Sequence, residues 1–508
     1  MRESALVAGG RFAIQRRLGQ GGFGTVYQAY DRKRDEQVAI KMLHRVDPSA
    51  LVRFKQEFRS LADVRHPNLV RLGELVSQGD EWFFTMELID GSDLLTWVCG
   101  APSPAGAMDT PRFPDTSPPP QGVTSPPDVT VAGEVGAGPR HRRFDEDRLR
   151  EGFAQLAEAV TALHSFGMVH RDLKPSNVLV TRRGRLVVLD FGLVANLGAS
   201  GAHDSINVVG TPAYMSPEQA GGAVVSKASD WYSVGVMLFE ALTGYLPFRG
   251  TAHQVMLERR SSDAPRPSRL AADVPRDLDE MCDELLRRDP AARPAGDAVV
   301  RRLRPGGAAP ARAPAKPSAP FVGRERELAT LRESLAEARA GRAATVAVAG
   351  RSGMGKTALA ARFLAEVGEG EVDALIFSGR CYERESVPYK ALDRVVDGLG
   401  RYLTRLEPAE AGRFLPRDWQ ALTRLFPVLN EVSSAAVGRR PPLEVSDAQE
   451  LRRRGFAALR ELLARLADQR TVVISIDDLQ WGDRDSGLLL RELMRPPDTP
   501  PLLLVVCY

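Results

Sequence analysis

The stretch His170-Arg171-Asp172-Leu173-Lys174-Pro175-Ser176-Asn177 brings together side chains suited to phosphoryl transfer. Asp172 is a base for a substrate hydroxyl proton. Lys174 is a cation that neutralises a transferring phosphate, and Asn177 is an oxygen ligand for a metal ion. A His-Arg-Asp tripeptide alone arises by chance in polar loops. The whole run, set between an amphipathic helix and an apolar strand, is far more specific. Asp190 closes the apolar run 186–189 and opens Asp190-Phe191-Gly192, a placement that suits a carboxylate chelating Mg²⁺ across β- and γ-phosphates.

Upstream, Gly19, Gly21 and Gly24 form G-x-G-x-x-G, with Val26 two residues further. Glycines here let backbone N–H groups approach triphosphate oxygens. An ordinary hairpin shows the same pattern, and a dinucleotide fold needs a helix directly after the glycines. Here a strand-like run follows, then Val38-Ala39-Ile40-Lys41. Lys41 ends an apolar strand and reads as a cation for the α- and β-phosphates. It needs a carboxylate to hold it. The helical stretch 51–64 is apolar at Phe54, Phe58, Leu61 and Val64, and Glu57 lies beside that face. Glutamates on such helices are usually solvated, but this one precedes His66-Pro67-Asn68-Leu69-Val70 and fits the partner of Lys41. Lys55 and Arg59 on the same helix have no such context. Strand 82–88 should lead into a hinge whose backbone binds adenine, with Met86 at the back of the pocket. Asp93 reads as a ribose ligand, with a helix N-cap as the close alternative.

A second phosphate site is expected at Gly350-Arg351-Ser352-Gly353-Met354-Gly355-Lys356-Thr357, between the apolar strand 345–349 and the helical stretch 358–364. This is G-x-x-x-x-G-K-T in the strand-to-helix context of a P-loop. Its N–H groups and the helix N-terminus cradle phosphates. Lys356 reaches the β- and γ-phosphates, and the Thr357 hydroxyl ligates Mg²⁺. The apolar strand 472–476 ends in Asp477, expected on Mg²⁺, and Asp478, expected to polarise the attacking water.

These residues need scaffolding, and the composition supplies it. The chain has 508 residues, 43% of them apolar, enough by length for roughly three domains. A net charge of +3, from 68 basic and 65 acidic residues, offers no footprint for nucleic acid. No apolar run reaches the roughly 18 residues of a membrane span, and the N-terminus lacks the apolar core of a signal peptide. Cys99, Cys282, Cys381 and Cys507 are widely spaced, so neither a zinc site nor a disulfide framework is expected, and a reduced, cytoplasmic protein is. Helical periodicity at Leu149, Phe153, Leu156, Val160 and Leu163 delivers the His170 loop, and a hairpin (178–180, 186–189) delivers Asp190. Residues 99–143, rich in proline, glycine, serine and threonine, read as a disordered insertion, and 305–320 as an alanine- and proline-rich linker.

Taken in order, the first set of motifs resembles the bacterial eukaryotic-like serine/threonine protein kinases over 12–304, insertion apart. Glu218 in a Ser-Pro-Glu variant of Ala-Pro-Glu, Asp230 and Arg293 complete the pattern, with a Glu218–Arg293 ion pair expected across 75 positions. The resemblance implies ATP contacts from Leu18, Gly19, Gln20, Gly21, Gly22, Phe23, Gly24, Thr25, Val26, Ala39, Lys41, Glu57, Met86, Glu87, Leu88, Asp93 and Asp190. It implies Mg²⁺ on Asn177 and Asp190, and Thr211 hydrogen-bonded near Asp172. Lys174-Pro175 and Gly210-Thr211-Pro212 point to serine/threonine rather than tyrosine acceptors. Arg171 would pair with a phosphorylated activation-segment residue. The serines there are Ser200 and Ser205, without the threonine cluster often seen before Gly-Thr-Pro. Every catalytic group is present, which argues against a pseudokinase.

The second set, with Phe321-Val322-Gly323-Arg324-Glu325 and Leu479-Gln480-Trp481-Gly482-Asp483, resembles the AAA-like ATPases of the signal-transducing type over 321–508. The sequence stops inside what reads as the next core strand, so that domain is expected to be incomplete, without the family's sensor arginine and helical lid. The implied architecture is an α+β bilobal protein kinase fold followed by an α/β P-loop NTPase domain. The implied partners are ATP at two sites and protein substrates with Ser/Thr acceptors, with no nucleic acid, and self-association is left open. A nucleotide-gated signalling scaffold with a weakly active kinase domain is the alternative from another functional class.

Overall fold

The computed structural model describes residues 6–21, 24–43, 48–62, 64–78, 81–100, 144–190, 195–196, 211–304, 321–370, 374–432 and 447–508. The expectations on Gly22, Phe23, Phe191, Gly192, Ser200, Ser205, the insertion beyond Gly100 and the linker 305–320 lie outside these residues. The chain forms two compact units. One combines Met1–Val64, Arg71–Leu88 and Lys316–Tyr508, and the other combines Arg65–Val70 with Ile89–Ala315.

In the first unit, strands β1 (Leu6–Val7), β2 (Phe12–Gly21), β3 (Gly24–Asp31), β4 (Glu36–Leu43), β5 (Leu72–Gln78) and β6 (Glu81–Glu87) form an antiparallel sheet in the order β1-β2-β3-β4-β6-β5. Alternation puts Phe12, Ala29, Val38, Ile40 and Phe83 on one buried face. The other face receives helix α1 (Pro48–Leu61), whose Phe54 and Phe58 rings lie 5.0 and 5.9 Å from that of Phe84. The helix starts and ends earlier than its periodicity suggests, and Val64, buried, follows it in the loop.

The C-terminal part of this unit is a four-stranded parallel sheet in the order Ala344–Val348, Leu502–Cys507, Thr471–Asp477, Ala374–Arg380. A parallel sheet needs cover on both faces, and the strand residues divide accordingly. Val473, Leu503 and Val505 pack with Leu328, Leu331 and Phe363 of helices Glu325–Arg339 and Lys356–Glu369. Val472, Ile474 and Leu504 pack with Leu392, Leu459 and Leu489 of helices Lys390–Arg405, Ala448–Ala467 and Arg484–Leu493. A short strand from this part, Glu385–Ser386, pairs in parallel with β5 and makes the N-terminal sheet seven-stranded.

The second unit is mainly helical. Helix Glu146–Ser165 begins at Asp145, whose carboxylate accepts from Arg148 N, and buries Leu149, Phe153, Leu156, Val160 and Leu163. Helix Lys227–Thr243 is buried along most of its length. Cys99 closes the helix Leu94–Cys99, so it does not open the insertion. A sheet of Gly91–Asp93, Val178–Thr181 and Leu186–Val188 frames the His170 loop. Among the described residues no helix is long and apolar enough to cross a membrane, and all four cysteines are free thiols.

Candidate active site and second nucleotide site

In the second unit, Asp172 sits within a network of donors. The backbone N–H and the hydroxyl of Thr211 both donate to its Oδ1, at 3.0 and 3.2 Å. Lys174 Nζ lies 2.8 Å from its Oδ2 and donates to Thr211 Oγ1 at 2.9 Å. Asn177 Nδ2 donates to the Asp172 carbonyl at 2.9 Å and weakly to Oδ2 at 3.3 Å. These donors fix the orientation of the carboxylate, with the Thr211 hydroxyl beside Oδ1 and the Lys174 ammonium beside Oδ2.

Behind it, Asp230 holds the loop's backbone. Its carboxylate accepts from the N–H groups of His170 and Arg171, both at 2.9 Å, and from His164 Nε2 at 2.7 Å. Burial pushes the Asp230 carboxyl upward, but the His164 hydrogen bond and the field of His170 outweigh it and hold it below the ordinary range. His170, fully buried, accepts from Asp172 N at Nδ1, so its proton sits on Nε2 and donates to Leu189 O at 3.1 Å. Two non-glycine residues in this region, Arg171 (φ 68°) and Asp190 (φ 57°), adopt left-handed backbone, costing about 1–2 kcal/mol each. The Asp230 bonds and the Gln219 side chain, which donates to Arg171 O at 2.9 Å, hold the first of them.

The lower scaffold carries the Glu218–Arg293 pair at 2.7 and 2.9 Å. Burial raises the Glu218 carboxyl, and hydrogen bonds from Arg293 and Ser229 more than reverse that, so it lies below its ordinary value. The serine of Ser-Pro-Glu has a local reason. Ser216 is the buried N-cap of a short helix, in a reciprocal capping box with Gln219. Asp93 proves to be a helix N-cap, with both oxygens accepting from Thr96, at 2.9 and 2.6 Å.

In the first unit, Lys41 Nζ donates to both oxygens of Glu57, at 2.7 and 3.0 Å, and both residues are buried. The Phe84 ring lies 5.9 Å from the same nitrogen. β2 and β3 form the glycine hairpin, and Ala39 pairs opposite Met86 across β4 and β6. Gly24 has a steric role in the sheet. A Cβ there would collide with the Met42 carbonyl of the neighbouring strand.

The second site is built at the strand ends of the parallel sheet. The loop 349–355 follows Val348, with Gly353 and Gly355 at φ 83° and 80°. Lys356 Nζ is folded onto the loop carbonyls of Gly350 and Arg351, at 2.7 and 3.3 Å. The Thr357 hydroxyl donates to Asp477 Oδ2 at 2.9 Å, so the last residue of the P-loop and the end of strand Thr471–Asp477 meet. Asp478, at φ 53°, accepts from Arg380 Nε at 2.8 Å and from Gln480 at 3.0 Å, so both oxygens are already engaged.

The donors suit a hard divalent cation. Asn177 has its amide nitrogen committed to Asp172, leaving Oδ1 as an oxygen donor, and Asp190, Thr357 and Asp477 offer only oxygens. Among the described residues no cluster of three or more His, Cys, Asp or Glu side chains forms a metal site by itself. Sequence reasoning missed Lys55 and Arg59, which are buried on α1. Nothing in their neighbourhood signalled this, because their partners lie more than 300 positions away.

The family profile described as protein tyrosine and serine/threonine kinase matches residues 12–303, and that of the AAA ATPase domain matches 320–506. The serine/threonine-protein kinase pkn2 of Myxococcus xanthus is 34% identical over 303 residues, covering 57% of this chain and 31% of that protein. PrkC of Bacillus subtilis is 30% identical over 285 residues, covering 55% of this chain and 38% of that protein. PknL of Mycobacterium tuberculosis is 33% identical over 302 residues, covering 59% and 65%. The chain thus spans less than two thirds of the length of each of these relatives.

Proposed function

Since the chain belongs to the protein tyrosine and serine/threonine kinase family and carries an AAA ATPase domain, we propose that it transfers the γ-phosphate of ATP to serine and threonine hydroxyls of protein substrates. The observation that carries this reading is the Asp172 network. Asp172 orients the acceptor hydroxyl and takes its proton. Lys174, held by Thr211, meets the transferring phosphate. This lysine–threonine bridge also favours serine/threonine over tyrosine acceptors. Lys41, fixed by Glu57, positions the α- and β-phosphates, and the glycine hairpin, Ala39 and the segment Met86–Leu88 contribute to the nucleotide site. Mg²⁺ supplies neutralisation of phosphate charge when bound. Asn177 and Asp190 would hold it in the kinase site, and Thr357 and Asp477 in the P-loop site.

The ATPase module is read as regulatory, with Gly350, Gly353, Gly355 and Lys356 taking nucleotide phosphates. Arg171 is read as the partner of an autophosphorylated activation-segment serine, and the setting as cytoplasmic, in keeping with four free thiols. The test is autophosphorylation with γ-labelled ATP and Mg²⁺, comparing the wild-type chain with Lys41→Met, Asp172→Asn and Lys356→Ala. Label is expected in the wild type and in Lys356→Ala, and not in the other two. A wild-type chain that binds nucleotide only through Lys356 and transfers no label would replace this reading with a nucleotide-gated scaffold.

A further inference from the structure

Helix α1 is held on two sides. Its inner face presents Phe54, Phe58 and Glu57 to the N-terminal sheet. Its outer face presents Lys55 and Arg59 to the ATPase module, and all five charged groups that meet there are buried. Lys55 Nζ donates to both oxygens of Asp393, at 2.8 and 2.9 Å, and to Asp397 at 2.9 Å. Arg59 donates to Asp393 at 2.7 Å and to Glu385, with its Nε at 3.0 Å, and lies 3.6 Å from Asp397. Burial works against the Arg59 charge, and the three carboxylates more than restore it. Val52, on the same helix, packs against the apolar core of the module.

The backbone is joined as well. Leu75 N donates to Arg384 O at 3.0 Å, Arg384 Nη1 donates to Leu72 O at 3.2 Å, and Glu385 pairs opposite Leu75. Lys390 Nζ ties down this segment by donating to the carbonyls of Tyr382 and Glu385.

We propose that the ATPase module is an intramolecular clamp on α1: the segment 384–397 grips the outer face of the helix and so holds Glu57 against Lys41. Glu57 stands between Lys55 and Arg59 on one rigid helix. The helix cannot swing outward without leaving two cations and three carboxylates buried and mismatched, a strongly unfavourable state. The same segment reaches the second nucleotide site. Five residues before Glu385, Arg380 pairs with Asp478, and Cys381 N donates to the Asp477 carbonyl. The clamp therefore gives the ATPase module a hold on the Lys41–Glu57 pair, and it rests on the kinase reading given above.

The test uses the full chain. Hydrogen–deuterium exchange of 48–61 and steady-state kcat/KM for ATP are compared between the wild type, Asp393→Ala/Asp397→Ala and Val52→Glu. The last leaves the ion cluster and every nucleotide-contacting residue intact, so it serves if the double variant misfolds. Exchange in α1 is expected to rise on the order of a hundredfold in the double variant, with kcat/KM falling about tenfold or more and the same direction in Val52→Glu. Unchanged exchange overturns the clamp. Faster exchange with wild-type kcat/KM overturns its hold on Glu57. A wild-type chain with no kinase activity sinks the functional reading instead, and the exchange comparison still decides whether the module grips the helix.

Discussion

Replacing Glu57 by glutamine isolates the charge that holds Lys41. At the observed 2.7 Å, the Coulomb attraction at an effective dielectric of 20 is about 6 kcal/mol. Desolvation of both groups offsets part of it, so breaking one side of a buried pair costs about 3–5 kcal/mol. Glutamine keeps one neutral hydrogen bond, worth about 1 kcal/mol. The remaining 2–4 kcal/mol, at about 1.4 kcal/mol per decade, corresponds to a loss of roughly thirtyfold to several hundredfold in kcat/KM for ATP. The assay is steady-state phosphorylation of a generic protein acceptor at varied ATP, with Lys41→Met and the double variant alongside. Because both single changes remove the same pair, the double should be no worse than the poorer single within about 0.5 kcal/mol. Activity of Glu57→Gln within about twofold of wild type, or losses that simply add, would refute the reasoning.

Three further outcomes are expected. Thr211→Val removes the hydroxyl bridging Lys174 and Asp172 but keeps the backbone donor, so kcat should fall about tenfold with KM for ATP little changed and Thr211→Ser near wild type; a mainly raised KM would contradict the assigned role. Glu218→Gln should cost about 3 kcal/mol at pH 7, read as a lower Tm. Because the Glu218 carboxyl is held below its ordinary value, its contribution is complete above about pH 4.3 and is lost as the pH falls through the lower folded value. The gap between the two proteins should therefore close in acid, and a gap that widens there would reverse the sign. Gly355→Ala places a Cβ at φ 80°, costing about 1–2 kcal/mol; a fluorescent ATP analogue should bind more weakly to the P-loop site in a Lys41→Met chain, and equal binding would show that the loop does not need this conformation.

Much of both sites was legible in the chain because their chemistry is local. The run His170 to Asn177 makes its internal contacts within a few residues, the P-loop motif is one strand, one turn and one helix, and the periodicity of helix Glu146–Ser165 states which face is buried. Long-range pairs were legible only where a recognised pattern named both ends, as with Lys41–Glu57 and Glu218–Arg293. Asp93 shows the limit of a local reading, since ribose ligand and N-cap demand the same residue, and the structure shows the N-cap.

By itself, then, the sequence determined the two sets of motifs and the helices and strands that flank them, because backbone periodicity and short motifs depend on near neighbours. Tertiary structure alone decided what Lys55 and Arg59 are for. A lysine and an arginine on an amphipathic helix read as solvated, since an unpaired buried charge is too costly to expect. Only a fold that brings Glu385, Asp393 and Asp397 from more than 300 positions away onto that helix makes their burial possible. Burial that depends on a distant partner leaves no trace in the neighbouring residues.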